Sequence, residues 1–174
     1  MKYNVSQLLK EPIGSERVFT ITEGEATETL NPVQTAVGQV KLVRTHQGIW
    51  TQAWLTALIV QDCSRCLEDF SHSLELEIDE EYFPEIDVKT GRHEIAPSEW
   101  EGFYIPADHT LDLGEAVRQS ALSTLPLKPL CKPDCIGICD RCGIDRNHKR
   151  CDCYTENIDP RWAALRSLIV EPQT

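Results

Sequence analysis

The 174-residue sequence is short of basic residues. It has 17 Lys and Arg against 28 Asp and Glu, so its net charge is −11 at pH 7. A surface of this sign argues against a protein that coats nucleic acid or an anionic membrane by charge alone. Aromatic residues are also sparse, at 7%. The length suits one domain, and the apolar fraction of 41% is ordinary for a soluble globular protein.

Long apolar segments are absent as well. The most apolar run, residues 55–60, has six residues, whereas a helix that spans a bilayer needs roughly 20. The first residues, MKYNVSQLLKEP, contain no apolar stretch of secretory length. The sequence therefore predicts a cytoplasmic protein that has no membrane partner.

Common catalytic motifs are missing. The sequence has no GxSxG, P-loop or dinucleotide-binding fingerprint, and none of its five histidines belongs to an HExxH pattern. A catalytic zinc would need an open coordination position, usually beside His or carboxylate ligands. We therefore predict a protein that is not an enzyme and has no small-molecule substrate.

Cysteine is abundant by contrast. The chain has eight cysteines, and in a reducing cytosol clustered cysteines bind metal more often than they form disulfides. Cys63 and Cys66 form a CxxC in a predicted turn between two strands. The other six lie within 23 residues and are Cys131, Cys135, Cys139, Cys142, Cys151 and Cys153.

The last four cysteines have the spacing of one structural zinc site. Tetrahedral zinc takes four thiolate or imidazole ligands, and a CxxC turn brings two sulfurs to one ion. Gly143 follows the second Cys of the turn and can adopt the left-handed conformation that such a turn often needs. We predict that this site consists of Cys139, Cys142, Cys151 and Cys153.

The remaining cysteines allow a second four-thiolate site, so we expect one or two zinc ions per chain. This set consists of Cys63, Cys66, Cys131 and Cys135, with 64 residues between Cys66 and Cys131. Free thiols, a redox CxxC and a metal site that has decayed remain alternatives. An iron–sulfur cluster on four of the thiolates is another. The CxxC lies in a predicted hairpin turn rather than beside a βαβ unit, which disfavours thioredoxin-like chemistry.

Basic residues concentrate on a loop inside the cysteine-rich segment. Arg146, Lys149 and Arg150 form the densest group, and a loop braced by zinc can present such side chains rigidly to RNA phosphates. The alternative is that these bases only offset the charge of nearby thiolates and carboxylates. His148 in the same loop is expected to be exposed, with a role as a metal ligand or a phosphate contact as the alternative.

The first half of the chain has the pattern of β-strands. Strongly β-branched or alternating segments are residues 16–22, 37–45, 49–61 and 73–83. The last of them alternates apolar with acidic residues, which is typical of an antiparallel sheet with one solvated face. Trp50 and Trp54 fall on one face of a strand, and we expect them in the core rather than on a base-stacking platform.

An acidic loop and two helices are predicted after the strands. Residues 84–106 show no periodicity, which favours a solvated acidic loop, with a binding arm for a protein partner as the alternative. Asp112 and Glu115 have the spacing of a capping box and predict a helix over residues 112–125. A last helix is expected from Asp159, with an apolar stripe made of Trp162, Leu165, Leu168 and Ile169.

Together these patterns predict an α+β fold. We expect a curved or barrel-like antiparallel sheet with flanking helices and a C-terminal cysteine-rich zinc knuckle. Residues 1–126 would form the β-rich part, with the acidic loop and the long helix. Residues 127–174 would form the zinc-binding module and the last helix, packed as one unit with the first part.

The order of the motifs resembles that of a known family. The motifs are CSRCL at residues 63–67, LPLKPLC at 125–131, CIGICDRCG at 135–143, CDC at 151–153 and DPR at 159–161. Each CxxC alone is common, but the combination resembles the YceD family, the large ribosomal RNA subunit accumulation proteins of bacteria and plastids. One departure is Asp140, where the family usually has Pro.

The resemblance implies a cytosolic, non-enzymatic factor needed for 23S ribosomal RNA to accumulate, with ribosomal RNA or a large-subunit precursor as partner. It also implies a β-rich domain with flanking helices. Some family members have the motif at Cys63 and Cys66 and the residues near Cys131 and Cys135 but lack the later knuckle, which favours two separate sites. The alternative function is a zinc-stabilised adapter between proteins that does not contact RNA.

Overall fold

The computed structural model describes residues 1–22, 31–97, 100–153, 161–162 and 165. The strands are β1 (Lys2–Asn4), β2 (Glu16–Ile21), β3 (Val33–Arg44), β4 (Ile49–Asp62), β5 (Asp69–Pro84), β6 (Phe103–Ile105) and β7 (Thr110–Asp112). The helices are α1 (Ser6–Lys10) and α2 (Gly114–Thr124).

The main sheet has five strands in the order β2-β3-β4-β5-β6, and β1 pairs with β7 in a separate ribbon. The first four strands are antiparallel, as predicted, whereas β6 joins β5 in parallel. Among the described residues β2 and β6 do not pair, so the sheet is not a closed barrel. A mostly β fold with helices is thus confirmed, and the curvature of the sheet stays a prediction.

The long hairpin of β4 and β5 carries the first cysteine pair to its tip. Every second residue of β4 from Ile49 to Ile59 is buried, because alternate side chains of a strand point to opposite faces. The two strands stay in register from Ile49↔Tyr82 to Asp62↔Asp69. The turn that follows therefore places Cys63 and Cys66 at the end of the hairpin, where the sequence predicted a turn.

The hydrophobic core covers one face of the sheet. Residues of α1 and α2, among them Leu8 and Val117, pack there against β3, β4 and β5. Trp50 and Trp54 lie on the opposite face, and Trp54 is 47% exposed. The expectation that both tryptophans belong to the core is therefore wrong. The indole Nε1 of Trp50 instead donates a hydrogen bond to Asp79 on β5.

Helix α2 begins two residues later than predicted. The carboxylate of Asp112 accepts a hydrogen bond from the N–H of Gly114 at 2.9 Å, and no side chain caps the helix at Leu113. Glu115 binds Arg118 and Gln119 on the helix surface instead of reaching back to the cap. The prediction of a capping box is therefore wrong. The end at Thr124, just before Pro126, agrees with the prediction.

The segment predicted as an acidic loop contains paired backbone. Ile86 and His93 form an antiparallel bridge, and the carboxylate of Asp87 accepts from the N–H groups of Lys89 and Thr90. Strand β6 also lies within residues 84–106. The absence of periodicity was therefore a poor guide, because a short hairpin and a three-residue strand leave no repeat to detect.

The last predicted helix lies largely outside the described residues. Asp159, Leu168 and Ile169 are not among them, whereas Trp162 and Leu165 are, and both are exposed. Over the part of the chain that the structure describes, no helix is long and apolar enough to cross a membrane.

Candidate metal centre

The structure groups the eight cysteine sulfurs in two sets of four, with the sulfurs of each set within 4.8 Å of one another. We call the set at the tip of the β4–β5 hairpin the proximal cluster and the other the distal cluster. These are the same sets that the spacing predicted. The proximal cluster is Cys63, Cys66, Cys131 and Cys135; the distal cluster is Cys139, Cys142, Cys151 and Cys153.

Distances within the proximal cluster fit a tetrahedral ion. The Sγ atoms of Cys63 and Cys135 are 3.8 Å apart, and those of Cys66 and Cys131 are 3.6 Å apart. A tetrahedron with zinc–sulfur bonds of about 2.3 Å has edges of about 3.8 Å. Disulfide sulfurs would be only about 2.0 Å apart, and all eight cysteines are free. The donor set and its spacing therefore suit structural zinc.

Both clusters are built on turns with the same backbone geometry. In the proximal turn the N–H of Cys63 donates to the carbonyl of Glu68 at 2.9 Å, and in the distal turn the N–H of Cys139 donates to Ile144 at 2.8 Å. The residue after the second Cys is left-handed in each turn, with φ of 70° at Gly143 and 61° at Leu67. The conformation predicted for Gly143 is confirmed.

Backbone N–H groups favour the thiolate form of the first Cys in each turn. Burial opposes ionisation of Cys63, but N–H groups of Cys131, Cys66 and Arg65 lower its pKa to about 6. The N–H groups of Cys142 and Arg141 lower the pKa of Cys139 to about 7. A metal ligand must be the thiolate, so each turn presents one sulfur that ionises near neutral pH.

Backbone hydrogen bonds join the hairpin tip to the distant cysteine-rich segment. The N–H of Ser64 donates to the carbonyl of Pro129 at 2.8 Å, and the N–H of Ile138 donates to that of Arg65 at 3.0 Å. The guanidinium of Arg65 donates to the carbonyl of Cys135 at 2.7 Å. These bonds bring Cys131 and Cys135 to the hairpin across the long gap in sequence.

Gly137 is required where the two segments meet. Its φ is +81°, and an added Cβ would lie 2.8 Å from the carbonyl oxygen of Arg65. A side chain there would be strained in its backbone and would also push against the hairpin.

Asn147 is a site residue that sequence reasoning missed. Its Nδ2 donates to Cys135 Sγ at 3.3 Å, and its Oδ1 accepts from the N–H of Ile136 at 2.9 Å. The residues around it, Asp145 to His148, form a turn typical of Asp and Asn. That signal could have indicated the turn, but no spacing rule could have paired this amide with a sulfur twelve positions away.

The three bases predicted to contact RNA lie together in the structure. Arg146, Lys149 and Arg150 line one groove of about 620 Å³. Its lining also includes Ile136, Ile138 and three cysteines of the distal cluster. His148 is exposed, as predicted, and lies 3.3 Å from Glu68 and 3.4 Å from Asp145, outside both sulfur clusters.

Comparison with known proteins matches most of the chain to one family. The family model described as Large ribosomal RNA subunit accumulation protein YceD matches residues 52–169, which include all eight cysteines. Uncharacterized proteins of Mycobacterium bovis and Mycobacterium tuberculosis are each 28% identical over 130 residues, which is 71% of this chain and 56% of theirs. One of Mycobacterium leprae is 28% identical over 127 residues, 69% of this chain and 54% of its own.

The chain thus spans just over half of the length of the curated relatives that it matches. No solved structure matches it.

Proposed function

Because the chain belongs to the YceD family of large ribosomal RNA subunit accumulation proteins, we propose that it supports the accumulation of 23S ribosomal RNA. We also propose that it supports the maturation of the large ribosomal subunit. The observation that carries the proposal is the family match over residues 52–169. That span contains both sulfur clusters and the basic groove. We also propose that the protein acts in the cytoplasm and is not an enzyme, since the family description names an accumulation role and no reaction.

Zinc is the proposed brace of the molecule, with one ion in each cluster. Four thiolates at tetrahedral spacing are the donor set of structural zinc sites, which leave no open position for catalysis. When bound, zinc holds four separate points of the chain together, and in small sites it contributes on the order of 10 kcal/mol to folding. The proximal cluster would therefore tie residues 127–153 to the β-hairpin, so that the two predicted parts of the chain fold as one unit.

RNA would be contacted through the basic groove beside the distal cluster. The net charge of −11 repels nucleic acid, so a contact must be local. Arg146 and Arg150 can bind phosphates in bidentate fashion, and Lys149 adds a point charge. Exposed Ile136 and Ile138 line the same groove and offer apolar surface to unstacked bases. Zinc holds both ends of this loop through Cys142 and Cys151.

The test of RNA contact is salt-dependent binding to fragments of 23S ribosomal RNA. We expect the triple variant Arg146→Ala, Lys149→Ala and Arg150→Ala to bind roughly tenfold or more weakly, and to reduce the slope of log K against log salt by up to about 3. The matched control removes three exposed bases elsewhere, Lys10, Lys89 and Arg92, with the same change in charge. Equal losses in both triple variants would contradict the proposed groove.

The alternative is an adapter between proteins that does not contact RNA. The acidic row of Glu75, Glu77 and Asp79 favours it, because these exposed residues of β5 lie on the sheet face that also carries exposed Trp54 of β4. Residues 84–106 remain the proposed arm for a protein partner. No salt-dependent binding of the intact protein to 23S ribosomal RNA fragments, with 23S ribosomal RNA accumulation unchanged in cells that carry the groove variant, would favour this alternative.

A further inference from the structure

Residues 136–138 lie between the two clusters and pair with both sides. On one side the N–H of Ile138 donates to the carbonyl of Arg65 in the proximal turn. On the other side Ile138 forms an antiparallel bridge with Asp145, and the N–H of Arg146 donates to the carbonyl of Gly137 at 2.9 Å. Three residues thus connect a proximal sulfur, Cys135, to a distal sulfur, Cys139.

Asn147 connects the same two regions through its side chain. It belongs to the loop between the second and third cysteines of the distal cluster, yet it donates to Cys135 Sγ in the proximal cluster at 3.3 Å. Its Nδ2 also donates to Asp145 Oδ1 at 2.7 Å, and its Oδ1 accepts from the N–H of Ile136. All of these bonds depend on one arrangement of residues 135–147.

We propose that the two clusters bind metal as a coupled pair, and that Asn147 is the positioning residue that couples them. The inference rests on the proposed zinc binding. Metal binding at either cluster fixes one end of residues 135–147. It thereby also fixes the bridge between Ile138 and Asp145, which positions the sulfurs of the other cluster. The second ion then binds to a site that is already ordered, so less conformational entropy is lost in that step.

The hydrogen bond to sulfur gives Asn147 a direct effect on the proximal cluster. A donor on a metal-bound sulfur orients that ligand and disperses its negative charge, as outer-shell partners do in other metal sites. Without the amide, Arg65 and the hydrogen bond from the N–H of Cys135 to the carbonyl of Lys132 would still hold the backbone of Cys135, but its sulfur would lose the N–H donor that the distal loop provides.

The test compares Zn²⁺ affinities in three chains by competition with a zinc-chelating dye. The intact chain binds two ions, Cys63→Ser with Cys66→Ser keeps the distal cluster, and Cys139→Ser with Cys142→Ser keeps the proximal one. The product of the two association constants of the intact chain, divided by the product of the single-cluster constants, equals the coupling factor. We expect a factor of about ten, within the range of allosteric couplings. A factor within twofold of one would overturn the inference.

Asn147→Ala in all three chains is expected to bring the coupling factor to within about threefold of one. Lys149→Ala is the matched control, because it changes an exposed residue of the same loop, and it should leave the factor at the wild-type value. A factor that Asn147→Ala does not change would overturn the role of Asn147.

A spectroscopic signature separates this role from a general loss of folding. Co²⁺ is bound to the chain that keeps only the proximal cluster, and the thiolate-to-cobalt charge-transfer band is recorded. Loss of the N–H donor raises the energy of the sulfur lone pair, so Asn147→Ala should move this band to longer wavelength while Lys149→Ala should not. An unmoved band would contradict the inference.

Failure of the coupling is distinguishable from failure of zinc binding. Single-cluster chains that both bind Zn²⁺, with a coupling factor of one, would overturn the coupling and leave the zinc brace in place. Absence of binding in the intact and single-cluster chains would overturn both.

Discussion

Leu67 and Gly143 occupy equivalent positions in two turns of the same geometry. Each donates its N–H to the carbonyl of the Cys four residues earlier, at 2.9 Å in both turns, and each has a left-handed backbone, with φ of 61° and 70°. Glycine adopts this conformation without steric cost, whereas a residue with a Cβ does so at a cost of about 1–2 kcal/mol. The proximal turn is therefore strained where the distal turn is not.

Substitutions at these two positions should change the free energy of unfolding in opposite directions. We expect Leu67→Gly to raise the free energy of unfolding by about 0.5–1 kcal/mol, because relief of strain exceeds the entropy of the added glycine. Gly143→Ala should lower it by about 1 kcal/mol, since nothing lies within 4 Å of an added Cβ and only backbone strain is introduced. Denaturant unfolding of the metal-loaded protein measures both.

Leu67→Ala is the control for the lost side chain. It removes the exposed isopropyl group but keeps the Cβ, so it should not stabilise the protein. If Leu67→Gly and Leu67→Ala had the same effect, the strain assigned to Leu67 would be absent.

Arg65 should matter more than Arg141, although both hold the third position of a CxxC turn. Arg65 donates to the carbonyl of Cys135 at 2.7 Å, whereas no side-chain hydrogen bond of Arg141 is found among the described residues. We expect Arg65→Ala to lower the free energy of unfolding by about 1–2 kcal/mol and to speed the removal of metal by a chelator. Arg141→Ala should change the free energy of unfolding and the rate of metal removal by little. Equal effects of the two substitutions would contradict the role of Arg65 in joining the hairpin tip to Cys135.

The ion pair on α2 should make the stability of the folded protein depend measurably on pH in the acid range. Arg118 binds the carboxylate of Glu115 through two nitrogens at 2.7 and 2.8 Å. Together with Gln119 it lowers the pKa of Glu115 from 4.5 to about 2. A lowered pKa stabilises the folded state above the unfolded value and loses this effect as pH falls through the folded value.

Glu115→Gln should therefore lower the melting temperature at pH 7, and the difference from wild type should shrink as pH falls from 4.5 toward 2. Both side chains are half exposed, so the difference is expected to be small and reduced by salt. Glu115→Gln made in the Arg118→Ala chain is the control, and the convergence should be weaker there because the ion-pair partner is absent. A difference that stayed constant with pH would refute the ion pair.

The sequence predicted which sulfurs lie together better than it predicted how the chain brings them together. Thiolate spacing indicated the same two sets of sulfurs that the structure brings together, because a CxxC turn places two sulfurs locally. The left-handed conformation of Gly143 was predicted because such a turn often needs it after its second Cys. Their role as metal ligands stays a prediction.

The missed features depend on contacts distant in sequence. The bonds of Ser64 to Pro129 and of Arg65 to Ile138 join segments more than sixty residues apart, and no local pattern encodes that register. Leu67 has a side chain that local rules do not place in a left-handed turn. Trp54 was misplaced because residue parity shows that two side chains share a face but does not show which face is buried.

Metal content tests the central claim most directly. The protein is purified without added metal, beside Cys63→Ser and Cys142→Ser, and each is analysed by elemental mass spectrometry. We predict two zinc ions per chain in the wild type and one in each variant. Iron in place of zinc, or no metal in the wild type, would contradict the account of a fold braced by two structural zinc ions.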